Sequence, residues 1–285
     1  IGETDPEMAP RGTLQIVETY RLAKDYPKAE AEAKAALAKN SGDRALRGMY
    51  ASLLADQGKS DAAIAEMKKL VAEKADRETW ISMAQVYEKS KRFNDMAKAI
   101  DEAEKLAQGK EEKEGITFMR GAMLEKQKRF DEAEAEFRKV LAASPDNAAA
   151  LNYLGYMLAD RNVRLPEALE LITKALDNDP GNGAYLDSLG WVYYRLGRFP
   201  EAETQLKLAL DKTSRDPTVH DHLGDVYYKQ GKIREAIGQW QASLKEWETA
   251  ASSEQEPVEI AKVQKKLEGA KVRLAKEGGP AGEKP

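Results

Sequence analysis

Residues 189–203 read LGWVYYRLGRFPEAE. In and just before this stretch Leu186, Leu189 and Tyr193 recur three and four apart, which is the period of a helix. Gly190 interrupts that helix with a residue that forms helices poorly. Gly197 then suits a positive-φ helix stop, and Pro200 suits the first turn of a second helix carrying Ala202, Leu206 and Ala209. Gly190 has two competing explanations, a loop around a ligand or a point where a second helix presses close. Recurrence along the chain decides between them.

The same order returns in HLGDVYYKQGKIREA, with Gly224, Gly231 and Ala236. It appears earlier in YLGYMLAD with Gly155 and Ala168, and in RGAMLEKQKRFDEA with Gly121 and Ala133. Weaker copies pair Ala84 with Met96, Ala51 with Ala63 and Val17 with Ala29. The first column falls at 17, 51, 84, 121, 155, 190 and 224, and the second at 29, 63, 96, 133, 168, 202 and 236. Both columns step by 33 to 37 residues, so two independent positions keep one period. Self-similarity at this period marks a stacked repeat. Each unit is two helices, and the glycine of the first (Gly121, Gly155, Gly190, Gly224) is expected to face the alanine of the second (Ala133, Ala168, Ala202, Ala236). A larger side chain there would hold the two backbones apart.

The order Leu-Gly-x-x-Tyr, Ala, large apolar residue, Ala, Pro resembles the tetratricopeptide repeat (TPR). Leu189, Gly190, Tyr193, Ala202, Leu206 and Ala209 carry it, and so do Leu154, Gly155, Leu158, Ala168, Ile172, Ala175 and Pro180. The resemblance implies an all-α, right-handed α-solenoid of about seven helix-turn-helix repeats: 10–43, 44–76, 77–113, 114–147, 148–182, 183–216 and 217–250. Residues 1–9 form an N-terminal extension. Ile260, Val263, Leu267, Ala270 and Leu274 mark a capping helix within 251–276, as solenoids require. The tail 277–285, ending GGPAGEKP, is expected to be disordered.

Composition agrees and excludes several classes. Of 285 residues, 33% are charged and 7% aromatic, with 45 basic and 49 acidic residues interspersed. A net charge of −4 offers no field for nucleic acid. The absence of cysteine removes disulfides, thiol catalysis and Cys-ligated zinc. No apolar run approaches the ~20 residues of a membrane span. The chain begins at Ile1 without methionine, so a fragment or processed form is expected, with any signal or lipidated cysteine upstream.

No catalytic set emerges, and no cofactor is expected. GDVYYKQGK has the wrong glycine spacing for a phosphate loop and lies in a helix. His220 and His222 lie near Asp221 and Asp225, and a metal is conceivable there, but partly exposed polar residues of a first helix account for them better. In TPR geometry the first helices line the inner groove with residues flanking the packing glycine. By that resemblance the partner-binding groove comprises Asn152, Tyr156 and Ala159; Asp187, Trp191 and Tyr194; and Asp221, Asp225 and Tyr228. Aromatic anchors beside hydrogen-bonding groups suit a peptide or helix of a partner. TPR co-chaperones hold heat-shock-protein termini with a basic and asparagine clamp, and here those positions are Asn, Asp and aromatic. The acidic groove implies a ligand carrying Lys or Arg, or a helix with exposed apolar residues.

The C-terminal repeats are also similar to those of bacterial cell-envelope TPR lipoproteins and adaptors, which implies a periplasmic or envelope setting, with the cytoplasm as the alternative. Three functions follow. The first is a noncatalytic scaffold binding a protein segment. The second is an accessory sugar-binding subunit of a polysaccharide or peptidoglycan enzyme complex, stacking sugar on Trp191 and Tyr194. The third is a regulator that senses metal or a small molecule through His222, Asp221 and Asp225.

Overall fold

A computed structural model describes residues 9–277. Most of the expected N-terminal extension and the tail GGPAGEKP lie outside the described residues. Among these there are fifteen α-helices and no strand. The described residues form two compact units, residues 9–128 with 251–255, and residues 129–250 with 256–277. In the first unit α1 (Ala9–Leu22) pairs with α2 (Tyr26–Lys39), α3 (Arg44–Asp56) with α4 (Ser60–Glu73), and α5 (Arg77–Lys89) with α6 (Phe93–Leu106), followed by α7 (Lys110–Lys126). The second unit opens with α8 (Phe130–Ala143) against α9 (Ala148–Asp160). Here α9 pairs with α10 (Leu165–Asn178), α11 (Gly183–Arg195) with α12 (Phe199–Lys212), and α13 (Pro217–Lys229) with α14 (Ile233–Thr249). The last helix, α15 (Pro257–Glu277), packs on α14. It starts several residues later than the 251 read from the sequence.

Local chemistry explains the boundaries. First helices open on an acidic or amide cap: the side chains of Asp43, Asp76, Asn147, Asn182 and Asp216 accept backbone N–H bonds from α3, α5, α9, α11 and α13. Each such cap contributes about 1 kcal/mol. The turns inside the hairpins hold residues at positive φ: Gly58, Gly197 and Gly231, but also Lys24, Lys91 and both Asn162 and Arg164, and Lys128 after α7 does the same. The left-handed stop expected at Gly197 is thus a feature of every hairpin, and it is also made without glycine. A side chain there costs on the order of 1–2 kcal/mol of local backbone energy.

The core runs between the two helices of each hairpin. Ala168, Ala202 and Ala236 are fully buried on α10, α12 and α14. Ile172, Leu206 and Trp240, four residues further on, are also buried. Val263, Leu267 and Ala270 of α15 bury against the cluster containing Leu223 and Trp240, so α15 covers the apolar end of the last hairpin. Successive first helices also touch, α1 to α3 to α5 in one unit and α9 to α11 to α13 in the other. This row is where the candidate site residues fall.

Candidate functional site

The glycine column sets how closely each first helix approaches the second helix of its hairpin. A Cβ on Gly190 would stand 2.6 Å from Leu206 Cγ and 3.3 Å from the Ala202 carbonyl oxygen. On Gly155 it would stand 2.6 Å from Ile172 Cγ1 and 3.1 Å from the Ala168 carbonyl. On Gly224 it would meet the Trp240 indole at 2.5 Å. The side chain facing each of these glycines is therefore the large residue four positions after the alanine, and at Gly155 and Gly190 the alanine contributes its carbonyl. Gly121 and Ala133 are buried on α7 and α8, in different units.

Where α9, α11 and α13 lie side by side, residues flanking the glycines meet one another. His222 of α13 is 5% exposed, and its Nδ1 lies 2.9 Å from Asp187 Oδ1 on α11. Its ring stacks on Trp191 at 4.1 Å, and Trp191 stacks in turn on Tyr194 at 4.8 Å. Tyr156 of α9 closes the other side, with its ring centroid 6.3 Å from the His222 ring. Burial opposes charge on His222, but the Asp187 carboxylate outweighs it, with help from Asp221 and Asp225, and raises its pKa. His222 is therefore a buried bridge between two repeats, where the sequence suggested a partly exposed polar residue. Its partner is one period away, and a residue one period along the chain is a neighbour on the next first helix.

The acidic pair is engaged as well. Lys266 Nζ of α15 lies 2.8 Å from both Asp221 and Asp225. Burial disfavours the ammonium, yet the two carboxylates raise its pKa, while burial raises that of Asp225. Asp187, Asp221 and Asp225 thus meet basic groups of this chain itself, and Lys266 was not singled out from the sequence. Trp191 is 7% exposed, a foundation under Tyr194 more than a projecting anchor. Tyr194 and Tyr228 are partly buried, and Asn152 is buried with its Oδ1 unmatched by any protein donor. No three His, Asp or Glu side chains among the described residues are arranged to hold a metal ion. His222 points to Asp187, and the two aspartates to Lys266.

The first unit repeats the theme with other residues. Asp56 of α3 is 4% exposed and receives Arg21 from α1 at 2.7 Å and Lys89 from α5 at 2.6 Å. Lys89 also donates to the Ser52 hydroxyl at 2.9 Å. Buried ion pairs recurring across neighbouring first helices tie successive repeats together.

Among the described residues no helix is long and apolar enough to cross a membrane. A family model described as tetratricopeptide repeat matches residues 17–78 and 118–183, and one described as TPR repeat matches residues 190–231. Together they cover more than half of the chain. A TPR repeat-containing protein of Pseudomonas aeruginosa is 34% identical over 83 residues, which is 29% of this chain and 14% of that protein. Among solved structures, a tetratricopeptide repeat protein from Parabacteroides merdae superposes with a TM-score of 0.65 at 14% identity, covering 92% of this chain and 98% of the other. Yeast Tom70 gives a TM-score of 0.58 at 19% identity over 90% of this chain and 61% of its own. PilW, a widely conserved type IV pilus biogenesis factor, gives 0.53 at 20% identity over 73% and 95%. At these identities the structures show the fold, and the models show the family. The chain belongs to the tetratricopeptide-repeat family.

Proposed function

We propose that the chain is a noncatalytic scaffold or adaptor that takes a segment of a partner protein along the exposed faces of its first helices. Tetratricopeptide repeats in general mediate protein–protein interaction. The observation that carries the reading here is the aromatic platform of the second unit. Tyr194 lies on Trp191, which lies on His222, and none of these three belongs to the Gly–Ala packing columns. A stacked, immobilised platform loses little entropy when it receives a ligand. Tyr194 and Tyr228 are its partly exposed edges and the groups we assign to partner contact. The carboxylates of Asp221 and Asp225 are already matched by Lys266, so a basic ligand residue would have to displace that lysine. The buried His222–Asp187 pair supports a noncatalytic role, because the imidazole lies under Trp191 and is closed to a substrate. A bacterial envelope setting forms part of the proposal, and the stretch shared with the Pseudomonas aeruginosa protein supports its bacterial half.

The test is selection of twelve-residue peptides from a displayed library on the full chain, followed by solution affinities. Enriched peptides should bind a Tyr194→Ala/Tyr228→Ala double variant about tenfold more weakly or worse, with its melting curve little changed. Failure to enrich any binding peptide, with soluble peptidoglycan fragments binding instead, would transfer the platform to the sugar-holding alternative.

A further inference from the structure

We infer that α15 is an internal ligand of the partner-binding face: Lys266 and Arg273 hold, against α13, the places that two basic residues of a partner helix, seven positions apart, take in exchange. The inference rests on the scaffold reading above. It adds the chemistry of the partner and a competitor carried by the chain itself.

Two edges of α15 have separate tasks. Val263, Leu267 and Ala270 are buried and seat the helix on the last hairpin. Lys266 and Arg273 form a second edge, because seven residues make close to two full turns and bring both to one side of the helix. Lys266 Nζ lies 2.8 Å from Asp221 and from Asp225, and the Arg273 guanidinium carbon lies 5.2 Å from the centre of the Tyr228 ring. Lys262 and Lys271 behave differently, pairing with Glu259 and Glu268 of α15 itself. The basic edge thus reaches across to a first helix, where capping requires nothing of it.

What this edge covers is the surface assigned above to partner contact. Tyr228 is one partly exposed edge of the platform and carries Arg273. Tyr194 is the other, and the ion cluster acts on it: burial raises the pKa of its hydroxyl, Asp225 adds to the rise and Lys266 opposes it. Each tyrosine offered to a partner therefore already has a cation of α15 beside it.

The contacts are of a kind that exchanges. An ion pair shielded from water adds little net stability once desolvation is counted, so the cap holds through its apolar stripe. Within the cluster the Lys266 side chain is 31% exposed, against 18% for Asp221 and 12% for Asp225. The lysine stands at the rim with the carboxylates behind it, on a flexible four-carbon stem that reaches water easily. It can swing out while Val263 and Leu267 stay seated. Two carboxylates left side by side then call for another cation, Asp225 above all, since burial already opposes its charge. A free anion is repelled there, and a lone basic residue replaces Lys266 but leaves Arg273 on Tyr228. A partner helix with Lys or Arg at i and i+7 replaces both.

The experiment uses the twelve-residue peptides enriched on the full chain, with Lys266→Gln/Arg273→Gln as the opened variant. A site that is open for part of the time binds more weakly by that fraction. Enriched peptides should carry Lys or Arg seven positions apart and bind the opened variant about tenfold more tightly than wild type. Changing those two peptide residues to Gln should abolish the gain. Binding to Tyr194→Ala/Tyr228→Ala should still be about tenfold weaker, as above. Wild type gives an independent reading through acylation of its lysines with a succinimidyl ester, followed by mass spectrometry. Saturating peptide should raise the reactivity of Lys266 and leave that of Lys262 and Lys271 unchanged. If the opened variant melts below wild type, the acylation result decides. Peptides that weaken on the double tyrosine variant, yet bind the opened variant no more tightly and leave Lys266 protected, overturn the internal ligand while the scaffold reading stands. A library without a binder overturns both.

Discussion

Gly190 has no room for a methyl group, since a Cβ would press to 2.6 Å from Leu206 Cγ with the Ala202 carbonyl close behind. A leucine there has to push α11 away from α12, and overpacking of this kind costs typically 1–3 kcal/mol or more. Gly190→Leu is therefore expected to lower stability by about 3 kcal/mol in urea titration. Shortening the opposing side chain should relieve part of that cost, so Gly190→Leu combined with Leu206→Ala should lose less than the two single changes added together. Strict additivity would sink the close-packing account. The glycine and alanine columns were legible because smallness is itself a signal when it recurs at a fixed period. Which side chain faces the glycine was not, since Ile172, Leu206 and Trp240 read as ordinary apolar helix residues. Gly48 and Gly190 look alike in the sequence, and only the surroundings separate a packing glycine from one beside open space.

At the scale of elements, the seam between α11 and α13 is the most distinctive contact in the second unit. His222 faces Asp187 and Trp191 on α11, Tyr156 on α9, and the charges of Asp221 and Asp225 on its own helix, which Lys266 from α15 pairs with. Although burial opposes the imidazolium, Asp187 and the two further aspartates raise its pKa above the ordinary 6.5. A raised basic pKa means that the folded state holds the proton more tightly than the unfolded chain does. The resulting stability is fully present below pH 6.5 and is lost as pH rises through the folded value. Urea midpoints of wild type and His222→Gln, compared from pH 5.5 to pH 9, should differ most on the acid side and converge on the alkaline side. A constant difference across that range would falsify the charged bridge. The seam escaped the sequence because Asp187 and His222 lie 35 residues apart and were weighed as separate polar groups. The turns escaped in a similar way: Lys24, Lys91 and Lys128 adopt the left-handed stop that glycine announces at Gly197 and Gly231, and a lysine announces nothing.

At the scale of the whole molecule, two columns of small residues sufficed to reveal a repeat, because a stacked array buries its core the same way each time. Function was less legible for the same reason, since groove positions are free to vary and their partners come from the next repeat or from the cap. Lys266 shows this well, having no counterpart in the repeat pattern and yet neutralising Asp221 and Asp225. Nearest-neighbour coupling also makes the effect of the cap calculable. Val263 and Leu267 bury almost completely against the last hairpin, each worth about 2 kcal/mol of apolar burial, and Lys266 leaves two carboxylates side by side when it goes. Truncation before Glu256 should therefore weaken the last hairpin by roughly 4 kcal/mol, uncover Trp240 and lower solubility. In a linear array the loss should stay local. Amide hydrogen exchange should quicken in α13 and α14, while α1 to α6 of the other unit keep their protection. Unchanged exchange in α14 would remove the capping role of α15, and a uniform loss through α1 would show that the array unfolds as one cooperative block.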